Sequence, residues 1–439
     1  FGGMQALEWA IRFPDAVDRS LVIASAASLN SQALAFDIIG RRAIVEDPDW
    51  QGGDYYNTGR APVHGLAQAR KLGHITYLSQ AMMDDKFGRE KRPEWLQADD
   101  AFHAESKRMF RTYFQVESYL QYQGEKFTAR FDANSYLHIT HAMDEYDLAE
   151  RFSSLETAFK PIRARLLVVA LSGDWLFTPE QSTDIVKALL HEDKRVTYCH
   201  LEAPAGHDAF LTDIDELHRI VHAFLPWVGA PQSSANVAKP ALAEYDVILG
   251  MVPPKSRVLD LGCGDGTLLT RLERDRQARG TGVEIDVGCM IRATDAGHDV
   301  LLEDIDDGLA MIPDNTFDVA VLGETLQVMR RPRFVMRQIL RVAREAIVTF
   351  PNFGYGPVRA QLLLQGRMPK RGPLPFEWYD TPNIHLFTLR DFLLLCQDEG
   401  LSVKDVCALP GGFCSRLLLG LGAKNFAAER VVARVGRKA

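Results

Sequence analysis

Arg257-Val-Leu-Asp-Leu-Gly-Cys-Gly-Asp-Gly266 decides how this chain is read. A short apolar run ends in glycines at alternate positions, and Leu268–Glu273 then takes helical spacing, so the stretch reads as strand, tight loop and helix. Glycines let a backbone approach a ligand closely. The next strand, Gly280–Ile285, carries Glu284 to its end, where a carboxylate accepts hydrogen bonds from both hydroxyls of a ribose. The spacing D-x-G-x-G-x-G differs from the dinucleotide fingerprint G-x-G-x-x-G, and Asp260 and Asp265 disfavour a pyrophosphate. They suit a ligand with a positive end, such as the amino group and sulfonium of S-adenosylmethionine.

Outward from this loop the alternation continues. Strands are expected at Asp299–Leu302, Phe317–Leu322 and Ala346–Phe350 with helices between them, which is a doubly wound α/β pattern. Upstream, Gly229-Ala-Pro-Gln-Ser-Ser-Ala-Asn-Val-Ala-Lys-Pro-Ala241 gathers small, polar and proline residues without periodicity and reads as a linker. Before it, strands at Ser20–Ala24, Arg165–Leu171 and Arg195–His200 alternate with helices at Met4–Phe13, Pro179–His191 and Asp213–Trp227, again a parallel α/β frame. Between Ser28 and Phe159 no strand signal appears. Helices at Leu34–Val45, Leu66–Met82 and Asp99–Tyr122 fill it, as a lid over about residues 28–160 would. The expected division is therefore residues 1–228, a linker at 229–241, and residues 242–439.

Composition agrees with two globular α/β domains: 439 residues, 46% apolar and 25% charged. A net charge of -8 argues against nucleic acid or an anionic membrane as partner. The six cysteines are spaced too irregularly for zinc pairs, so no metal is expected, and they fit a reducing cytoplasm. No run of about 20 uncharged apolar residues marks a membrane span.

In the first half, Leu166-Leu-Val-Val-Ala-Leu171 runs into Ser172-Gly-Asp174, putting a carboxylate at the end of a buried strand. The next strand leads to Ala205-Gly-His-Asp-Ala-Phe210, putting an imidazole on a loop before a helix. An acid followed by a histidine is the order in which a serine, an acid and a histidine occur in hydrolases built on such a sheet. Asp174 would orient His207, and His207 would move the proton. The opening Phe1-Gly-Gly-Met-Gln-Ala-Leu-Glu-Trp-Ala10 reads as a sharp turn into a helix, so Phe1 is expected to follow the nucleophile by one residue.

These phrases, with the lid phrases Asp47-Pro-Asp-Trp50, Gly65-Leu-Ala-Gln-Ala-Arg70 and His74-Ile-Thr-Tyr77, resemble the homoserine O-acyltransferases of the α/β-hydrolase class (MetX type). The resemblance implies transfer of an acyl group from its coenzyme A thioester to the L-homoserine hydroxyl through an acyl-serine. It carries Asp174 and His207 over as triad members, Arg70 and Tyr77 as ligands of the homoserine carboxylate, and Asp208 as the contact of its amino group. It also implies a homodimer formed through the lid. Acetyl-CoA is the expected donor and succinyl-CoA the alternative. Without a serine ahead of Phe1, the chain is expected to have no acyltransferase activity.

The second half resembles the class I methyltransferases. More closely it is similar to methionine-biosynthesis protein W (MetW), through the glycine loop, Thr325-Leu-Gln327, Arg331-Pro332, Phe350-Pro-Asn-Phe353, Gly366-Arg-Met-Pro369 and Trp378-Tyr-Asp-Thr-Pro-Asn-Ile-His385. The likeness implies that Gly262, Gly264 and Gly266 line the methionine part of S-adenosylmethionine, Glu284 holds its ribose, and Asp304 and Ile305 flank its adenine. Asn352, Tyr355, Trp378, Tyr379, Asn383 and His385 are the candidate wall of a methyl-acceptor pocket, with His385 as base. The combined expectation is a methionine-biosynthesis fusion. Its alternatives are a succinyltransferase with a regulatory or scaffolding second half, and a plain serine esterase joined to an active methyltransferase.

Overall fold

A computed structural model of the chain describes residues 1–91, 114–211, 214–225, 242–370 and 372–438. Contacts gather them into two compact units, one of Phe1–Glu192 with His200–Leu217, the other of Asp193–Cys199 with His218–Ala439. The linker expected at 229–241 lies outside the described residues, as do residues 92–113 of the lid.

The first unit begins with α1 (Gly2–Arg12), whose Met4, Leu7, Ala10 and Ile11 form its buried face. Gly3 is required there, because a Cβ would lie 2.5 Å from Ser25 Cβ. Strand β1 (Arg19–Ile23) pairs in parallel with β2 (Arg165–Leu171), from Arg19 opposite Arg165 to Ile23 opposite Val169. Every residue of β2 is buried, as expected of a strand covered on both faces. The lid comprises α2 (Ser31–Val45), α3 (Val63–Tyr77), α4 (Gln80–Phe87), α5 (Gln115–Thr128), α6 (Ala133–Asp144), α7 (Leu148–Phe152) and α8 (Leu155–Phe159). Among the described residues of this stretch no strand forms. Its core is Ile44, Tyr55, Leu66, Ala69, Phe127 and Ala133. Gly65 lets α3 close on α2, since a Cβ would stand 2.2 Å from the Ala43 carbonyl, and its N–H donates to Asp47 Oδ2 at 2.7 Å. Helix α9 (Pro179–His191) follows β2. The division between the units cuts through β3 (Val196–Leu201) and α10 (Asp215–Phe224), so it does not follow the linker.

In the second unit α11 (Leu242–Met251) precedes β4 (Arg257–Leu261), α12 (Thr267–Arg276), β5 (Arg279–Glu284), α13 (Val287–Asp295), β6 (Asp299–Leu302), β7 (Phe317–Leu322), α14 (Pro332–Val342) and β8 (Ala343–Pro351). The order across the sheet is β6-β5-β4-β7-β8 and all four pairings are parallel. The order reverses direction at β4, the switch point where doubly wound sheets place ligands. After α15 (Gly356–Gln365) and α16 (Leu389–Asp398) come β9 (Leu401–Pro410), α17 (Phe413–Gly420), α18 (Lys424–Ala427) and β10 (Ala428–Arg437). Neither β9 nor β10 is anticipated by the sequence reading. Strand β10 lies between β8 and β9, antiparallel to both. Val258, Val319, Val321, Ile347 and Val432 bring β4, β7, β8 and β10 into one core with α11 and α12.

Candidate functional site

The first site is built where β2 ends. Ser172 N–H donates to the Leu201 carbonyl at 2.9 Å, and Ala203 N–H donates to Ser172 Oγ at 2.9 Å, tying the two strand ends together. Gly173 permits this, because a Cβ would meet the Ala203 carbonyl at 2.3 Å. Asp174 is thereby buried, with Oδ1 accepting the N–H groups of Leu176 at 3.0 Å and Phe177 at 2.9 Å. Its Oδ2 meets His207 Nδ1 at 2.6 Å. A carboxylate at Nδ1 places the ring proton there and leaves Nε2 as the basic nitrogen. Gly206 precedes the histidine at φ +83, where a Cβ would lie 2.6 Å from Ser79 N, so the loop is pressed against the lid. Phe177 and Phe210 pack the imidazole, with centroids 5.1 and 5.5 Å away.

His207 opens on a cavity of about 440 Å³ that Phe1, Asp37, Arg70, Tyr77 and Asp208 also line. Arg70 and Tyr77, seven residues apart on α3, meet with Nη1 3.5 Å from the phenol oxygen. The guanidinium lies 4.6 Å above the Phe127 ring, which holds it flat by cation–π attraction. Burial raises the Tyr77 pKa and Arg70 opposes the shift. Burial also raises that of Asp208, against the pull of His207 and Arg70. The five residues that the sequence singles out in this half therefore converge, Asp174 standing behind His207. No cavity-lining residue among those described is serine or cysteine. The hydroxyls of its two threonines, Thr76 and Thr140, donate to the carbonyls of Gly73 and Tyr136. Asp37 also lines the cavity, and a lone acid inside Ala33-Leu-Ala-Phe-Asp-Ile-Ile39 is the sequence signal that points to it.

In the second unit Gly262, Gly264 and Gly266 take φ values of +79, +57 and +80, which side-chain-bearing residues adopt at a cost. Gly262 and Cys263 both donate to the Val283 carbonyl, at 2.8 and 3.1 Å, fastening the loop to β5. Glu284 Oε2 accepts Gly264 N–H at 2.7 Å, and Oε1 accepts Ile285 and Asp286 N–H at 2.9 and 3.0 Å. The carboxylate thus braces the loop, and lone pairs remain for a ligand hydroxyl. A Cβ on Gly264 would meet nothing within 4 Å, so the loop opens on space there. Asp265 turns inward to cap the loop, accepting Thr267 N–H at 3.1 Å and the Thr267 hydroxyl at 2.6 Å. Burial, with the Glu284 charge second, pushes Asp260 up to about 7. Asp304 accepts Asp306 N–H at 2.9 Å and an Arg330 N–H at 2.7 Å, and Ile305 beside it is buried.

The six candidate acceptor residues differ in their surroundings. Asn352 is 1% exposed and makes four hydrogen bonds: it donates to the carbonyls of Asn425 and Ala428, each at 2.9 Å, and accepts the N–H groups of Gly354 and Leu389, each at 3.0 Å. It is a structural hub. The Tyr355 hydroxyl pairs with Ser415 Oγ at 3.0 Å inside the fold. Trp378 and Tyr379 pack edge to face on the surface, 70% and 67% exposed. Asn383 N–H donates to Thr381 Oγ1 at 3.1 Å, and His385 N–H to the Gln327 carbonyl at 2.9 Å. Of these six, His385 alone has a buried side-chain nitrogen, Nε2, without a hydrogen-bond partner. All six cysteines are free, and no group of three metal-ligating side chains occurs among the described residues. No helix among them is long and apolar enough to cross a membrane.

Comparison with known proteins follows the same division. Residues 1–214 match the family model for the alpha/beta hydrolase fold, and residues 242–433 match the model described as Methionine biosynthesis protein MetW. The first part of the chain is thus similar to the α/β-hydrolase fold and the second to MetW. The same two-part order appears in the name of a relative from Rhodopirellula baltica, "Bifunctional methionine biosynthesis protein MetXA/MetW", 40% identical over 89% of this chain and 63% of that protein. The hydrolase segment is 48% identical to a homoserine O-acetyltransferase of Haloferax gibbonsii, over 49% of this chain and 52% of that protein. It is 46% identical to a homoserine O-succinyltransferase of Bordetella petrii, over 55% of this chain and 57% of that protein. The chain thus spans about half to two thirds of the length of these relatives.

Proposed function

We propose that the hydrolase segment is the acid–base and substrate-binding part of a homoserine O-acyltransferase, and that the MetW segment binds S-adenosylmethionine. The observation that carries the first reading is the Asp174–His207 bond opening on the cavity shared with Arg70, Tyr77 and Asp208. In that reading a serine ahead of Phe1 attacks the acyl thioester while His207 Nε2 takes its proton. The thiolate of coenzyme A leaves with that proton. The homoserine hydroxyl then attacks the acyl-serine, gives its proton to His207, and the serine oxygen recovers it. Arg70 offers the fork that fits a carboxylate, Tyr77 a hydroxyl donor, and Asp208 an acceptor for an ammonium.

The glycine loop fits S-adenosylmethionine: Gly264 leaves room, and Glu284, at the end of β5, braces the loop with lone pairs left for a ribose hydroxyl. Bound there, the group would supply an electrophilic methyl. Because Asn352 and Tyr355 are committed to bonds within the fold and Trp378 and Tyr379 are largely exposed, a sensing role is favoured over methyl transfer. Coupling between the sites must then be reciprocal, so homoserine or acyl-CoA changes S-adenosylmethionine affinity by the same factor that S-adenosylmethionine changes theirs.

The names of the relatives divide between acetyl and succinyl donors; acetyl-CoA is the donor proposed here, with a cytoplasmic dimer paired through the lid. Assay of a chain extended ahead of Phe1 to supply a serine, with homoserine and each thioester, decides the first reading. Formation of free acid without acylhomoserine would instead favour an esterase, and alanine at Arg70, Tyr77 and Asp208 would then leave ester hydrolysis intact. Titration of S-adenosylmethionine with Glu284→Ala as control decides the second.

A further inference from the structure

Two unlike clusters meet at the imidazole of His207. Its ring approaches Tyr77, with centroids 6.0 Å apart, and Tyr77 leads to Arg70 on the Phe127 ring, part of the core of the lid. It also packs against Phe177 at 5.1 Å. Phe177 belongs to a separate apolar cluster with Met4, Ala26, Leu29 and Ala33, against which Leu176 and Met143 of α6 pack. Five of these, Leu29, Ala33, Met143, Leu176 and Phe177, line the cavity, and none carries a polar side chain. Met4 lies in the first turn of α1, the turn that Phe1 caps, and Phe1 lines the cavity as well. The apolar cluster therefore adjoins the place where an acyl-serine ahead of Phe1 would stand, while Arg70 and Tyr77 belong to the other cluster.

Among the described residues that line the cavity, Arg70 is the one arginine or lysine, and Asp37 and Asp208 are carboxyl-bearing. The carboxylate of an amino-acid substrate takes up Arg70. A second carboxylate, at the far end of an acyl chain, would meet apolar side chains and two acids, and a carboxylate taken out of water without a cation is costly. We propose that Leu29, Ala33, Met143 and Leu176 are the seat of the acyl group and select it by charge. The seat takes uncharged acyl chains, including chains longer than acetyl, and rejects a chain that ends in a carboxylate. This rests on the acyl-transfer reading above, and it gives to residues of this chain a choice that the names of the relatives leave open. Pockets of about 300–1,000 Å³ hold drug-sized ligands, so in a cavity of about 440 Å³ an acetyl group leaves space to fill. Each methylene added against the apolar seat should tighten binding about threefold to fourfold.

The test is calorimetric titration of the full chain with L-homoserine and with its O-acetyl, O-butanoyl and O-succinyl esters, which bring an acyl group into the cavity without need of a nucleophile. The butanoyl ester should bind roughly tenfold tighter than the acetyl ester. The succinyl ester, whose chain has the same number of carbons but ends in a carboxylate, should bind at least about a hundredfold more weakly than the butanoyl ester. Met143→Lys places a cation in the seat on a side chain of similar length. It should bring the succinyl ester to within about tenfold of the butanoyl ester and leave homoserine affinity within about twofold. Succinyl and butanoyl esters that bind alike, or an acetyl ester that binds as tightly as the butanoyl ester, overturn the assignment and leave the acyltransferase reading standing. A Met143→Lys chain that binds homoserine but gains nothing for the succinyl ester does the same. The series on the unaltered chain decides even where that variant does not fold. Absence of homoserine binding to the unaltered chain overturns both readings.

Discussion

The two candidate sites are made of different material. In the hydrolase segment the chemistry lies in side chains brought from α3, the end of β2 and the turn before α10, and its central bond joins residues 33 positions apart. In the MetW segment it lies in backbone: Gly262 to Gly266 are one continuous turn, fastened to β5 and braced by a single carboxylate. A side-chain constellation concentrates function in a few groups, so losing one should stop the chemistry and leave the fold. A backbone cradle spreads function over its shape, and loses it through added bulk.

The largest effect expected tests that contrast directly. Asp174→Asn, in a chain extended ahead of Phe1 to supply a serine, should lower the acylation rate by about four orders of magnitude, because the imidazole loses the group that fixes its tautomer. Circular dichroism should be unchanged and S-adenosylmethionine affinity unaffected. Conversely, Gly264→Arg should lower S-adenosylmethionine binding by about a hundredfold or more, with a stability loss of only about 1 kcal/mol for the left-handed backbone. Retained binding in that variant would remove the cradle from the argument.

Asp260 sharpens the comparison through pH. Its folded-state pKa, raised from 3.8 to about 7, means that the folded protein keeps a proton the unfolded chain has lost between those values. Stability therefore falls as pH rises from about 4 to about 7 and stays lower above it. Asp260→Asn should accordingly raise the melting temperature by a few degrees at pH 8 and by much less at pH 5, while weakening S-adenosylmethionine binding. A rise of equal size at both pH values would contradict this. The smallest change is Arg70→Lys, which keeps the charge and loses the planar fork and its seat on Phe127. It should raise the KM for homoserine roughly tenfold and leave kcat within about twofold.

The same contrast decides what the sequence discloses. Glycines at 262, 264 and 266 are legible because positive φ leaves few other residues acceptable. Asp174 and His207 are legible because strand ends in a parallel sheet are where such groups sit. Asn352, by contrast, is polar and near the right place, but residue type alone does not reveal that four backbone groups occupy it. Trp378 and Tyr379 mislead for the opposite reason, since aromatic residues signal a pocket only when something covers them. Strand β9 escapes notice because its residues are only partly buried, with Lys404 and Asp405 exposed at its middle, which blurs the two-residue alternation.

Strand β10 has a consequence for how the second unit is made. It separates β8 from β9, and Val431, Val432, Ala433 and Val435 have no exposed surface. A ribosome delivers β8 and β9 first, and neither is the other's neighbour. Until β10 emerges, the growing chain carries two bare strand edges with a gap between them, a template on which another nascent chain can pair. Translation speed over the codons for 411–437 should therefore govern how much of the protein is recovered without aggregation, although none of those codons encodes a residue of the glycine loop or of the cavity.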